Sequence, residues 1–348
     1  MALEVQPLSG ESIEWDAFVR SMPGGSPFHL LAWKRAVDTS FGHRPHYLMA
    51  IGEHGIEGVL PLFEVRGLLG GRGLISVPYG VYGGICGRSE PARQLLLDHA
   101  TRLARHVGAG YVELRHRAGQ EMDLPTKSLY VNFSRPISGN DEENLAAIPR
   151  KQRRMTRQGL KHGLRAEFGM QHLDAFYDVY ARSLHTLGTP VFPRRLFTAI
   201  SQEFQKECEL LTIWKDERVV AGVLTLLYEG QALPYYGGAL REAFPYAVND
   251  FMYLGALVPR GPCRLPRLRL RPEPRGNGPL QLQAALGLRA AAPALPVRPA
   301  RRGLDPERQS GQSEDASGRG GVETGPLPAH APARTGAHTI STLTRAPE

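Results

Sequence analysis

The sequence predicts an α/β protein, a mixed sheet with helices built twice over, on three observations. The same order of elements recurs in each half: helices, a strand hairpin, a third strand, then a helix. The segment YLMAIGEHGIEGVLPLF matches LLTIWKDERVVAGVLTLL, and PYGVYGG matches PYYGG. Gly58-Val59-Leu60 then corresponds to Gly222-Val223-Leu224, a spacing of 164 residues that means domain duplication rather than a solenoid. A chain of 348 residues is also about two domains long.

In the first half, Trp15 and Phe18 share one face of a helix over Ser12–Met22. Leu31, Trp33 and Val37 mark a second helix, His29–Phe41, stopped by Gly42. Tyr47–Ile51 and Glu57–Val65 flank a Glu53-His54-Gly55 turn as a hairpin. The glycine-rich run Gly67–Gly73 lacks phosphate-loop spacing and joins strand to strand, so it reads as a hairpin loop. Leu74–Val77 follows as a strand, Ser89 caps a helix that stops at Gly108, and Tyr111–Arg115 returns as a strand. In the second half, helices are expected at Leu173–Leu187 and Pro193–Phe204, with a hairpin over Glu209–Trp214 and Val219–Leu227. A third strand, Gln231–Tyr236, runs into Gly237-Gly238, and Asn249 or Asp250 caps a helix reaching Leu257.

Between the halves stands IPRKQRRMTRQGLKHGLR, residues 148–165. Arg150, Arg154, Arg157, Lys161 and Arg165 fall three or four apart, so a helix would carry them as one basic stripe, with Lys151 beside it. Such a stripe at the junction of two copies points to a bound anion; the alternative is a solvated linker. The resulting domains are 1–147, a basic connecting helix 148–166, a second domain 167–257 and a tail 258–348.

Composition excludes several classes. The three cysteines have no metal or disulfide spacing, which fits a reducing compartment. The N-terminus lacks an apolar core, and no run approaches a membrane span, so a cytoplasmic protein is expected. The formal net charge of +8 comes almost wholly from Gly255 onward, where fourteen arginines face seven carboxylates. The body is therefore near neutral and its basic helix is a local feature.

The order IPRKQRR, SLHTLGTPVFP, ALPYYGG, VNDFMY over roughly residues 10–257 resembles FemAB-related proteins associated with exosortase and PEP-CTERM systems. These are tandem GNAT-fold acyltransferases with a BioF2-like acetyltransferase domain. The resemblance implies transfer of an acyl or aminoacyl group to an amine of an envelope, peptidoglycan-like or exopolysaccharide precursor. The donor implied is acyl-CoA or aminoacyl-tRNA, without a metal, and peripheral membrane contact is compatible with it. No R/QxxGxG/A segment follows the third strand of either repeat, which counts against CoA.

Against this pattern, residues 258–348 hold no Phe, Tyr or Trp, and half of the 28 prolines lie from Gly255 on. A disordered tail is expected, since so little apolar surface cannot offset ordering entropy. The family pattern continues with FDFGRS and WGFEP. Arg269–Ala294, read one base later with allowed codons, yields FDFGRSRGETGPYSFKRRWGFEPQPL. A frameshift near Leu257–Pro259 that truncates the second domain is therefore expected.

Acyl transfer requires an amine to lose a proton, donors for the oxyanion and an acid for the leaving group. The candidates are Tyr235 or Tyr236 as acid and Asp250 as base, with Asn249, Gly237 and Gly238 lining the site. Adjacent on a strand, the two tyrosines should face opposite ways, so one of them at most is catalytic. The structural alternatives are a core tyrosine and a capping aspartate. In SLHTLGTP, Ser183, Thr186, Gly188 and Thr189 could contact an acceptor through hydroxyls and free backbone N–H groups. The alternative there is an ordinary helix stop with Gly188 at C′. His185 is the histidine candidate for a general base. The competing function is a non-catalytic module that binds phosphate-bearing envelope precursors or tRNA.

Overall fold

The computed structural model describes residues 2–67, 71–117, 124–125, 130–137 and 141–255, with short strands at 267–269, 273–274, 289–291 and 297–299. Most of the expected tail, and residues 68–70 of the glycine-rich loop, lie outside the described residues.

The first half runs β1 (Glu4–Pro7), α1 (Ile13–Ser21), α2 (Leu31–Phe41), β2 (Arg44–Gly52), β3 (Gly55–Arg66) and β4 (Arg72–Ser76). It continues through β5 (Cys86–Gly87), α3 (Glu90–His106) and β6 (Tyr111–Glu113). Then come β7 (Tyr130–Pro136), α4 (Asp141–Ala146) and the basic helix α5 (Arg150–Lys161). The second half comprises β8 (Leu164–Phe168), α6 (Leu173–Thr186), α7 (Arg194–Phe204), β9 (Cys208–Lys215), β10 (Arg218–Tyr228), β11 (Gln231–Ala239), α8 (Val248–Gly255) and β12 (Arg267–Arg269).

Local chemistry explains the boundaries. Trp33, Ala36, Val37 and Ser40 bury one face of α2, and Gly42 ends it at φ +64°, a conformation that costs glycine little. Ser89 caps α3 by accepting a hydrogen bond from the Ala92 N–H at 3.3 Å. β10 reads as a nearly continuous apolar run because helices cover both of its faces. Leu224 and Leu226 point toward α6 and α7, and Ala221 and Val223 toward α8.

The duplication shows in the pairing. β1 to β4 are antiparallel neighbours in chain order, and β6 then adds parallel to β4 after helix α3. β8 to β11 repeat this plan, and β12 adds parallel to β11 after α8. Two corrections follow. Gly58 faces Leu96 of α3, whereas Gly222 faces Phe176 of α6, on the other side of the equivalent strand. The 164-residue alignment is thus out of structural register, and a one-residue slip exchanges faces. Strand β7, assigned from the sequence to residues 1–147, pairs instead with β12 in the second sheet.

The halves share one core. Trp15, Phe28 and Trp33 of the first are buried with Phe176, Tyr180, Phe197 and Tyr236 of the second. Arg20 bridges to Glu207 at 2.8 Å and Glu229 at 3.1 Å, and Arg35 to Glu203 at 2.5 Å. The fused apolar core, rather than these half-exposed pairs, supplies most of the cohesion.

Candidate functional site

The site candidate forms where β11 loses its outer neighbour. β12 pairs with it only at Gln231 and Ala232, so among the described strands the edge from Leu233 to Ala239 is open on that side. On its inner side the register with β10 jumps. Leu224 opposes Tyr236 and Thr225 opposes Pro234, leaving Tyr235 as the extra residue of a β-bulge. A bulge re-aims a side chain, and this one overturns the expectation that the tyrosines face apart. Both hydroxyls donate to the carbonyl of Tyr79, Tyr235 at 3.1 Å and Tyr236 at 3.2 Å, with ring centroids 4.8 Å apart at 88°.

Tyr79 comes from the first half, in the PYG copy of the motif. Its loop holds three non-glycine residues at positive φ: Val77 at 44°, Tyr79 at 66° and Tyr82 at 56°. Such conformations cost about 1–3 kcal/mol each and persist only where surroundings impose them. Arg115 donates to the carbonyl of Gly80 at 2.8 Å and of Val77 at 3.3 Å. His116 Nε2 accepts from the Ile85 N–H at 2.8 Å, and His29 Nε2 lies 2.9 Å from the Gly84 carbonyl oxygen. Burial pushes His29 down to about 3 and His116 to about 4, so both are neutral struts at neutral pH. The Tyr79 hydroxyl sits 2.7 Å from His43 Nε2, and burial pushes its pKa up to about 12.

The other candidates are placed elsewhere. α8 begins at Val248, so Asn249 and Asp250 lie in its first turn rather than at its cap. α8 also packs on the sheet face opposite the tyrosine rings, so Asp250 does not join Tyr235 and Tyr236. Burial raises the Asp250 carboxyl, with its own backbone N–H and the charge of Lys151 acting against the rise. Gly238 packs against Ser183 and Tyr180, and Ser183 Oγ accepts from the Ala239 N–H at 3.3 Å, a helix–strand contact. Gly237 is exposed on the open edge.

The loop after α6 is a Schellman stop with Gly188 at C′, the helix-stop alternative of the sequence reading, and it engages the N–H groups that the acceptor-binding alternative needed free. Gly188 N–H donates to the His185 carbonyl and Thr189 N–H to that of Leu184, both at 3.0 Å. Thr186 Oγ1 donates to the Arg182 carbonyl at 2.9 Å, and His185 is exposed on a shallow cleft beside Tyr177 and Arg182, away from the tyrosines. The basic stripe is as the spacing implied. Arg150, Lys151, Arg154, Arg157 and Lys161 are exposed, and Gln152, Thr156 and Gly159 turn inward, Gly159 against Phe251 of α8. None of the five cations pairs with a carboxylate among the described residues, and Lys151 brings the stripe beside Asp250. Arg165, expected to extend it, pairs instead with Glu167 at 2.6 Å.

Sequence reasoning passed over Tyr79 as a component of the site. The repeated Pro-Tyr at 78–79 and 234–235 was the available signal, since two copies of one motif in a duplicated fold meet at the pseudo-symmetric junction.

Residues 145–258 match the family model described as an acetyltransferase (GNAT) domain. No curated protein matches in sequence. Among solved structures, FemX superimposes at a TM-score of 0.64 with 14% identity, covering 83% of this chain and 96% of FemX. A tandem GNAT protein from the clavulanic acid biosynthesis pathway gives 0.54 with 13% identity, covering 87% and 100%. The C-terminal domain of a putative lysylphosphatidylglycerol synthetase from Agrobacterium fabrum gives 0.53 with 15% identity, covering 76% and 87%. At such identities the likeness is one of fold: two GNAT-type α/β units in tandem, the second carrying the region matched by the GNAT acetyltransferase model.

Proposed function

We propose that the chain is a GNAT-type N-acyltransferase that moves an acyl or aminoacyl group onto an amine of a cell-envelope, peptidoglycan-like or exopolysaccharide precursor. The observation that carries this reading is the bulged, one-sided edge of β11 inside the region matched by the acetyltransferase model. An unpaired strand edge offers backbone donors and acceptors to an extended ligand, and the bulge turns the Tyr235 hydroxyl out of register beside it.

In the proposed reaction the acceptor nitrogen attacks the donor carbonyl carbon. A C–N bond forms, the C–S or C–O bond of the donor breaks, the leaving sulfur or oxygen takes a proton from Tyr235, and the proton lost by the acceptor nitrogen returns to the Tyr235 phenolate, directly or through solvent. Tyr236, fully buried, holds the Tyr79 carbonyl and thereby the first-half loop. The acyl-CoA or aminoacyl-tRNA donor would lay its phosphates on Arg150, Lys151, Arg154, Arg157 and Lys161, where guanidinium groups bind phosphate bidentately. The envelope assignment draws on the motif resemblance and on the A. fabrum synthetase as a fold relative; a role alongside exosortase and PEP-CTERM systems draws on the resemblance alone.

One observation favours a second reading: both tyrosine hydroxyls are engaged by the same carbonyl. On that reading the chain is a binding module for phosphate-bearing precursors or tRNA. The deciding experiment supplies acetyl-CoA and, separately, aminoacyl-tRNA with amino-sugar and lysyl-peptide acceptors, and follows product by mass spectrometry. The catalytic reading expects turnover that falls about 10²-fold in Tyr235→Phe while acceptor binding is kept. Folded protein that makes no product from either donor would leave the binding module.

A further inference from the structure

The first sheet ends in a polar cleft that the proposed reaction does not use. Along β3, Leu60 and Leu62 lie in the core under α3, and the next residue on that face is Glu64, 6% exposed. Here apolar packing gives way to charge. Arg72 reaches Glu64 at 3.2 Å, and Arg66 and His46 at 3.5 Å each. Arg44 stands opposite Glu64 across the strands, with no carboxylate partner among the described residues. Arg72 also donates to the Val107 carbonyl at 2.6 Å, which fixes its guanidinium at the end of α3. His43 and His106 complete the rim of a cleft of about 690 Å³.

The corresponding end of the second sheet is closed. There α1 of the first half covers the β10–β11 turn: Tyr228 donates to the Val19 carbonyl at 3.0 Å, and Arg20 pairs with both Glu207 and Glu229. The first sheet has no such cover at this end among the described residues. Three arginines there face one buried carboxylate, a surplus of two positive charges at a concave opening.

We infer that this cleft binds a phosphate group, free or as a monoester. A phosphate dianion matches the surplus, and its tetrahedral oxygens suit arginine forks held apart by a shared carboxylate. The site also reaches the junction between the halves. His43 on its rim bonds the Tyr79 hydroxyl, and the Tyr79 carbonyl takes both second-half tyrosines. The inference stands whether or not the chain transfers acyl groups.

The test titrates the intact protein with inorganic phosphate and, in parallel, glycerol 3-phosphate, by calorimetry and by the imidazole NMR signals of His43 and His106. Both are expected to shift on saturable binding, and the tighter of the two ligands identifies the natural source as free phosphate or an ester. In Arg44→Glu/Arg66→Glu, whose guanidinium groups are exposed and whose fold should survive, affinity should fall at least about tenfold. Arg44→Gln/Arg66→Gln should lie between. Arg154→Glu/Arg157→Glu on α5 should leave the affinity read from the His43 and His106 signals unchanged, whatever it does to phosphate bound at α5 itself. Absence of saturable binding overturns the inference, as does affinity that follows the α5 variant instead.

Discussion

The two halves follow one plan and finish it differently. In the first, the gap beyond the paired part of β4 and β6 is filled by the chain itself. Ser76 Oγ accepts from the Arg115 N–H at 2.8 Å, Gly84 N–H donates to the Arg115 carbonyl, and Val77 is fully buried there. In the second, β11 and β12 part after two residue pairs and no described segment closes the gap. A duplicated fold thus separates roles by plugging one copy. The plugged copy lends a carbonyl to the open copy's tyrosines, and the open copy keeps an edge for a ligand. The comparison also assigns costs, because three residues at positive φ sit in the plug while the open edge is held by one bulge.

The comparison can be broken in several ways, and the largest effect is expected from the tail. We propose that the coding DNA across codons 250–300 carries FDFGRS and WGFEP in the frame one base later. Protein rebuilt in that frame should gain a full parallel partner for β11 and show a higher melting temperature and soluble yield than the chain as it stands. A stop codon within that frame would end the idea and leave the tail as the natural continuation.

Next comes the shared core. Tyr236→Ala removes a fully buried ring that meets Phe197 at 5.2 Å and Phe192 at 5.9 Å, and should cost about 3–5 kcal/mol by chemical denaturation. Tyr236→Phe keeps the ring, loses the bond to Tyr79 and should cost about 1 kcal/mol. Equal losses in the two variants would mean that the hydroxyl, not the packing, joins the halves.

The plug should be the acid-sensitive half. His29 and His116 have folded pKa values of about 3 and about 4, below the 6.5 of an unfolded histidine. Between these limits the unfolded chain binds more protons, so stability is full above about pH 6.5 and declines as pH falls. From pH 7.5 to 5.5 the two together should remove about 2–3 kcal/mol. His29→Gln, whose amide can reach the Gly84 carbonyl without titrating, should roughly halve that slope. An unchanged slope would place the acid sensitivity elsewhere.

How much of this was legible depended on whether the cause was local. Gly42, Ser89 and Gly188 mark their helix ends through their own backbone and side-chain chemistry, and each did so in the structure. The hairpins were legible because apolar runs flank turn residues, yet the offset between copies came out one residue wrong. Both hairpins carry a bulge at the same place, so Gly58, opposite Ala50, corresponds to Ala221, opposite Ile213, and the identical Gly-Val-Leu triplets drew the alignment one residue too far. The site was least legible. The β11 bulge depends on pairing with β10, the strained 77–82 loop is imposed by Arg115, His116 and His29 from distant positions, and the placement of Asp250 on the far face follows from which side α8 crosses. β7 joins the second sheet through long-range pairing that its own seven residues do not announce.

The smallest effect on stability is expected at α5, and its smallness is informative. Arg154 and Arg157 are exposed and lack carboxylate partners among the described residues, while the buried side of the helix consists of Gln152, Thr156 and Gly159. Reversing the two charges removes no packing and no ion pair, so Arg154→Glu/Arg157→Glu should change unfolding free energy by no more than about 0.5 kcal/mol. Like charges at neighbouring helical positions repel, so a slight gain is the expected sign. A residue retained for stability would lose several times as much. Unchanged stability together with weakened retention on heparin, a polyanion, would mark the stripe as a surface for anionic ligands. A clear loss of stability would instead make α5 a strut between the halves, and the donor phosphates would have to bind elsewhere.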